Sequence, residues 1–130
     1  MDGGQVALSP DAKVQADAWM SANEGKRKLF VFLGAPGTEP KQMPPLDLQG
    51  QQTHPSVTLL DANRALVVFE QDSDNIKAVI VNDQGEVTRN LAVATGKFPR
   101  VIKTKDGAAV VAFETDKGIQ AKVIAAESLK

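Results

Sequence analysis

The chain has no cysteine, no tyrosine, one histidine and one tryptophan in 130 residues. Without cysteine there are no disulfides, thiolate nucleophiles, iron–sulfur clusters or thiolate zinc sites, and a single histidine excludes any site that needs two imidazoles. No metal and no cofactor is therefore expected, and redox chemistry does not constrain the compartment. Strong charge of one sign is also missing. Fifteen Lys and Arg stand against sixteen Asp and Glu, a net charge of −1, with no basic cluster, which argues against an electrostatic grip on nucleic acid. No run approaches the roughly 18 apolar residues of a membrane span, so no membrane partner is expected. The first residues, MDGGQVALSP, have neither the basic start nor the apolar centre of a secretory signal. Ten Gly and seven Pro are too few for a fibrous or disordered chain.

What is present is a repeat. Residues 54–69 read HPSVTLLDANRALVVF and residues 98–113 read FPRVIKTKDGAAVVAF. At an offset of 44, Pro55 falls on Pro99, Val57 on Val101, Ala65 on Ala109, Val67 on Val111, Phe69 on Phe113 and Glu70 on Glu114. After a one-residue slip, NIKAVIV at 75–81 parallels GIQAKVI at 118–124. A weaker copy at 5–19 sets Val6 on Val57, Leu8 on Leu59 and Trp19 on Phe69, with one inserted residue.

Each copy has the pattern of short strands. Ser56 to Leu59 alternates, Asp61-Ala62-Asn63 is a turn, and Ala65 to Phe69 is an apolar run rich in β-branched and aromatic residues. A polar stretch at 71–75 precedes a strand at 76–81, and Asn82-Asp83-Gln84-Gly85 turns the chain into 87–94. Four strands repeating every ~44 residues match the size of a propeller blade. The expected fold is all-β, a single module over 1–130 with about three four-stranded antiparallel blades at 4–50, 54–97 and 98–130. The first blade has strands near 5–8, 14–20, 28–34 and 43–48, and the last lacks its fourth strand, eleven strands in all. Residues 9–24 admit a second reading, a helix begun by Ser9-Pro10-Asp11 and stopped at Glu24-Gly25. Period-2 alternation of Val14, Ala16, Ala18 and Met20, together with the repeat, favours a strand. Three blades are too few to close a ring of about four to eight. A second copy or a partner chain is therefore expected to complete it.

At HPSV, ALVVFE and NDQG the chain resembles the repeats of sialidase-like propellers, with Asp83-Gln84-Gly85 similar to their Asp-box turn, although Val81 stands where a Ser or Thr is usual. The likeness is to the C-terminal half of such a propeller, and it implies a secreted or periplasmic setting. A sialidase site would need a Tyr nucleophile, an acid/base Asp and three Arg. The chain has no Tyr, and of Arg27, Arg64, Arg89 and Arg100 only Arg100 stands where a substrate-facing Arg would. The expected function is a non-catalytic module binding a glycan, peptide or protein through its loop face, with no catalytic residue assigned. The alternative is a fragment or subunit of a sialidase-like hydrolase.

Candidate ligand residues follow from position. His54 and Arg100 sit at the start of inner strands, where propeller residues line the mouth of the channel. Asp17 occupies a mid-strand position that is normally apolar. Asp72 and Asp74, with Asp116, lie in acidic loops expected on one face of successive blades. These loops lack the six to eight ordered oxygen ligands of a calcium site and read as a solvated rim. Trp19, Phe69 and Phe113 recur at one position as packing between blades. Gly34-Ala35-Pro36-Gly37-Thr38 has no Lys and no following helix, so it reads as a turn, not a phosphate loop.

Overall fold

The computed structural model describes residues 4–39 and 43–130. They form ten strands: β1 (Gly4–Leu8), β2 (Gln15–Asn23), β3 (Lys26–Gly34), β4 (Gln52–Asp61), β5 (Arg64–Gln71), β6 (Asn75–Asn82), β7 (Val87–Thr95), β8 (Lys97–Lys103), β9 (Ala109–Thr115) and β10 (Gly118–Ile124). Consecutive strands pair antiparallel into three sheets, β1-β2-β3, β4-β5-β6-β7 and β8-β9-β10. The sheets lie in sequence order in an open stack, and the first strands β1, β4 and β8 are neighbours. Among the described residues no helix is long and apolar enough to cross a membrane.

Residues 9–24 are a loop and a strand. Ser9 Oγ accepts the N–H groups of Lys13 and Val14, so the apparent helix cap closes the β1–β2 loop instead. Glu24 and Gly25, at φ 52° and 83°, form a two-residue hairpin turn of the kind that suits twisted strands. The weakest copy of the repeat also holds in register. Val6 pairs with Asp17 and Val57 with Val67, so the first hairpin loop carries the one extra residue that the alignment required.

The expected strand at 43–48 is absent. Pro44 and Pro45 have no N–H to donate to a ladder, and among the described residues of this segment only Leu46 bonds to the β3 backbone, through its N–H to the Leu29 carbonyl at 2.8 Å. Lys28 Nζ and the Gln52 side chain tie this segment down at the carbonyls of Gln49, Gly50 and Leu48. The first sheet therefore has three strands, and ten strands replace the expected eleven among the described residues. The chain ends in a 3-10 turn, Ala126–Leu129, that buries Leu129.

Two cores fill the spaces between the sheets. Between the first and second sheets lie Ala16, Ala18, Leu29, Val31, Val67, Phe69, Val79 and their neighbours. Between the second and third lie Leu66, Val68, Ile76, Ile80, Val111, Phe113 and Leu129. Along β5 and β6 alternate residues point to opposite cores. A sheet covered on both faces must be apolar on both, and this explains the unbroken run Ala65 to Phe69. Phe69 and Phe113 each face the preceding sheet, as the repeat implies. Trp19 holds the same register on the first sheet, and its own face is uncovered. Its ring stacks on Phe30 at 5.7 Å.

Candidate functional site

The repeat reappears as backbone geometry at one end of the stack. His54 and Phe98, 44 residues apart, have φ of 54° and 53°, and each sits in an irregularity of the ladder, between Thr53 and Ser56 and between Lys97 and Arg100. The prolines that follow them, Pro55 and Pro99, are both buried. A left-handed residue before a buried proline bends the first strand of each sheet at the same point, which brings the two rings together edge to face at 5.0 Å.

Glu70 fastens these two bends. Its side chain is almost wholly buried, and Oε2 lies 2.8 Å from His54 Nδ1 and accepts the Phe98 N–H at 3.0 Å. One carboxylate thus links strands of the second sheet to the start of the third. In the sequence Glu70 stands out only as the start of the acidic stretch 70–74 and as the last matched position of the repeat, where it coincides with Glu114.

Two clefts open here. A small one of about 160 Å³ is lined by Gly4, Gln5, Met20, His54, Pro55, Phe98 and Arg100, where the three first strands meet. A larger one of about 660 Å³ lies between the second and third sheets, with Asp74, Lys97, Phe98, Glu114, Asp116 and Lys117 among its walls. Phe98 borders both and is 47% exposed. Gly96 lets β8 start close under this cleft: a Cβ there would stand 2.7 Å from the Phe113 ring and 2.8 Å from the Glu114 carbonyl.

The chain matches no known family model and no curated protein.

The six residues singled out in the sequence separate into two pairs and two single residues. His54 and Arg100 share the small cleft, and Asp74 and Asp116 share the large one. Asp74 also lies 3.6 Å from Lys97. Asp72 closes a loop. Its Oδ1 accepts the Gln51 N–H at 2.9 Å, and its own N–H donates to the Gln51 carbonyl. The carboxylate fills the space beside Gly50 that a side chain would need, and Gly50 itself has φ 73°. Asp17 stands apart from both clefts on the uncovered face of the first sheet, where Gln15 Nε2 reaches both of its carboxylate oxygens at 3.0 Å. Its hydrogen-bond partner in the strand is thus an amide.

Two of the remaining arginines hold the chain end. Arg64 bonds Asp61 and the Leu129 carbonyl, and Arg89 bonds the Lys130 carbonyl. Among the described residues no group of three or more His, Cys, Asp or Glu could hold a metal ion. The turn compared with an Asp box connects β6 to β7, strands three and four of their sheet, but Asn82 organises it by accepting the N–H groups of Gln84 and Glu86. Phe98, Lys97 and Lys117 were missed in the sequence. The only available signal was that Phe98 replaces His54 in the repeat.

Proposed function

We propose that the chain is a non-catalytic, propeller-type binding module that recognises a glycan, peptide or protein at the end of the stack bearing His54 and Phe98. The observation that carries this is the cleft between the second and third sheets. It combines one exposed aromatic ring with hydrogen-bonding groups of both signs, Asp74, Asp116, Lys97 and Lys117, at the loop ends of a rigid scaffold. Apolar surface edged by a few directed polar groups is the usual make-up of a ligand site, and loops on a fixed scaffold are the usual place for one.

The propeller reading is supported by three successive meanders with adjacent first strands and by the geometric repeat of the two bends. The hydrolase-fragment alternative has less behind it: Arg64 and Arg89 are engaged at the chain end, and Arg100 alone borders a cleft with a candidate partner.

Glycan and peptide arrays probed with the whole chain test the proposal. Binding should be lost in Phe98→Asn, a change chosen because asparagine tolerates the left-handed backbone, and weakened in Asp116→Asn and Lys117→Ala. Binding that ignores all three changes, or turnover of a sialoside without them, would refute it.

A further inference from the structure

The stack ends in two bare faces of different character. On the third sheet, Val110, Ala112, Ile119, Ala121 and Val123 point away from the second sheet, as their cross-strand pairs show. Ile119 is 71% and Val123 65% exposed. By the repeat these residues take the places of Leu66, Val68, Ile76, Ala78 and Ile80, the residues by which the second sheet holds the third. On the first sheet, Val6, Leu8, Trp19, Phe30 and Phe32 lie on the outer face; Val6 is 61% exposed, Trp19 and Phe30 are half-buried, and Phe32 is covered within its own sheet. Val6 and Trp19 take the places of Val101 and Phe113, the residues by which the third sheet is held. The chain therefore carries one unused face of each kind from an interface that it already forms internally.

The charges on the two faces fit the same register. Within the chain, Ser56 Oγ of the second sheet accepts the Val101 N–H of the third at 3.1 Å. The repeat puts Arg100 in the place of Ser56, and Val6 in the place of Val101. The cross-strand neighbour of Val101 is Val111, whereas that of Val6 is Asp17. Continuing the stack with another copy would thus bring Arg100 beside Val6, and directly opposite residues of an antiparallel pair are only about 5 Å apart, within reach of an arginine side chain. The polar intrusion on one face is answered by a cation on the other.

We infer that the occupant of both faces is a second copy of this chain, joined head to tail so that the third sheet of each copy covers the first sheet of the other, with Arg100 paired to Asp17 across both junctions. This rests on the propeller reading, since only a stack that curves can satisfy two such junctions at once with two copies. Six sheets lie within the range of about four to eight at which rings close. A head-to-tail contact that did not close would grow into a filament.

Sedimentation velocity, light scattering and small-angle X-ray scattering on the whole chain test this. The expected mass is twice 13.8 kDa, with a disc-shaped scattering envelope. Asp17→Arg and Arg100→Asp should each weaken the dimer by roughly a hundredfold, because each sets like charges against one another at both junctions. Mixing the two variants should restore a dimer, since one junction then has the native pair and the other has it reversed. Circular dichroism of each variant should match the wild type, as Asp17 lies on the uncovered face of the first sheet and Arg100 is exposed at the edge of its cleft. A wild-type monomer at high micromolar concentration would overturn the second copy as occupant while leaving the propeller reading intact. A dimer indifferent to both substitutions would overturn the head-to-tail junction. Elongated particles that lengthen with concentration yet still need Arg100 and Asp17 would overturn the ring, and with it the propeller reading.

Discussion

Removing the Glu70 carboxylate should cost more than its position on a short strand next to a loop suggests. In Glu70→Ala the Phe98 N–H loses a charge-assisted hydrogen bond of 3.0 Å in a partly enclosed site. Bonds to charged groups contribute about 1.5–3 kcal/mol. The His54 contact is 2.8 Å long, but the imidazole is 43% exposed, so solvent screening holds its share to at most about 1 kcal/mol. Together the loss is about 3 kcal/mol, a Tm decrease of about 10 °C for a chain of this size. Glu70→Gln keeps an acceptor for the amide and should cost about 1 kcal/mol. His54→Asn, which suits the left-handed backbone, removes only the screened contact and should cost less still. Urea unfolding at one fixed protein concentration reads the order directly, as a falling midpoint at constant m. Equal midpoints for Glu70→Ala and His54→Asn would refute the account, because they would mean that the carboxylate does not hold Phe98.

The other predictions concern the cores and acid stability. Phe69→Ala and Phe113→Ala empty equivalent places in the two cores, and each should destabilise by about 3–5 kcal/mol. Thermal unfolding checks this, and a loss below about 1 kcal/mol in either would show that the sheet interface is not packed around that ring. Three aspartates lie in the three first-hairpin turns, Asp11, Asp61 and Asp106, and the carboxyl of each is held below its usual value. Partial burial alone would raise Asp61, but the Arg64 hydrogen bond, the Asn63 N–H and the Arg64 charge outweigh it. The Ser9 hydroxyl acts on Asp11, and the Thr104 hydroxyl on Asp106, each with a backbone N–H in support. A lowered folded-state value stabilises above the ordinary carboxylate pKa of about 3.9 and is lost as pH falls through the folded value. Urea midpoints should therefore fall below about pH 4, and Asp61→Asn should flatten part of that decline. An acid limb unchanged by Asp61→Asn would show that the Arg64 pair contributes nothing.

Much of this fold could be read along the chain. Alternation in Ser56 to Leu59 and the run Ala65 to Phe69 are local strand signals, and they located β4 and β5, although β4 is buried on both faces. The offset of 44 located β8 and β9 and foretold that Phe69 and Phe113 would share a role. The strand expected at 43–48 follows from a four-stranded blade that requires one there, whereas two prolines remove the donors a ladder requires. Asp17 and Asp72 drew notice as ligand candidates because an acid in a strand or a loop tip is conspicuous in sequence. Their partners are Gln15, two residues earlier on the same face of β2, and the Gln51 backbone, which only loop closure brings near.

The strand segments, their repeat and the equivalence of Trp19, Phe69 and Phe113 were determined by the sequence itself, since periodicity and turn chemistry act over a few residues. Tertiary structure decided the rest. The carboxylate of Glu70 meets the Phe98 amide only because the second and third sheets stack, and Leu129 joins the core between those sheets, where Arg64, 65 residues earlier, also holds its carbonyl. Which faces lie bare, and which polar residues stand on them, depends on the order in which whole sheets lie against one another. That order is set by long-range burial, and no local pattern encodes it.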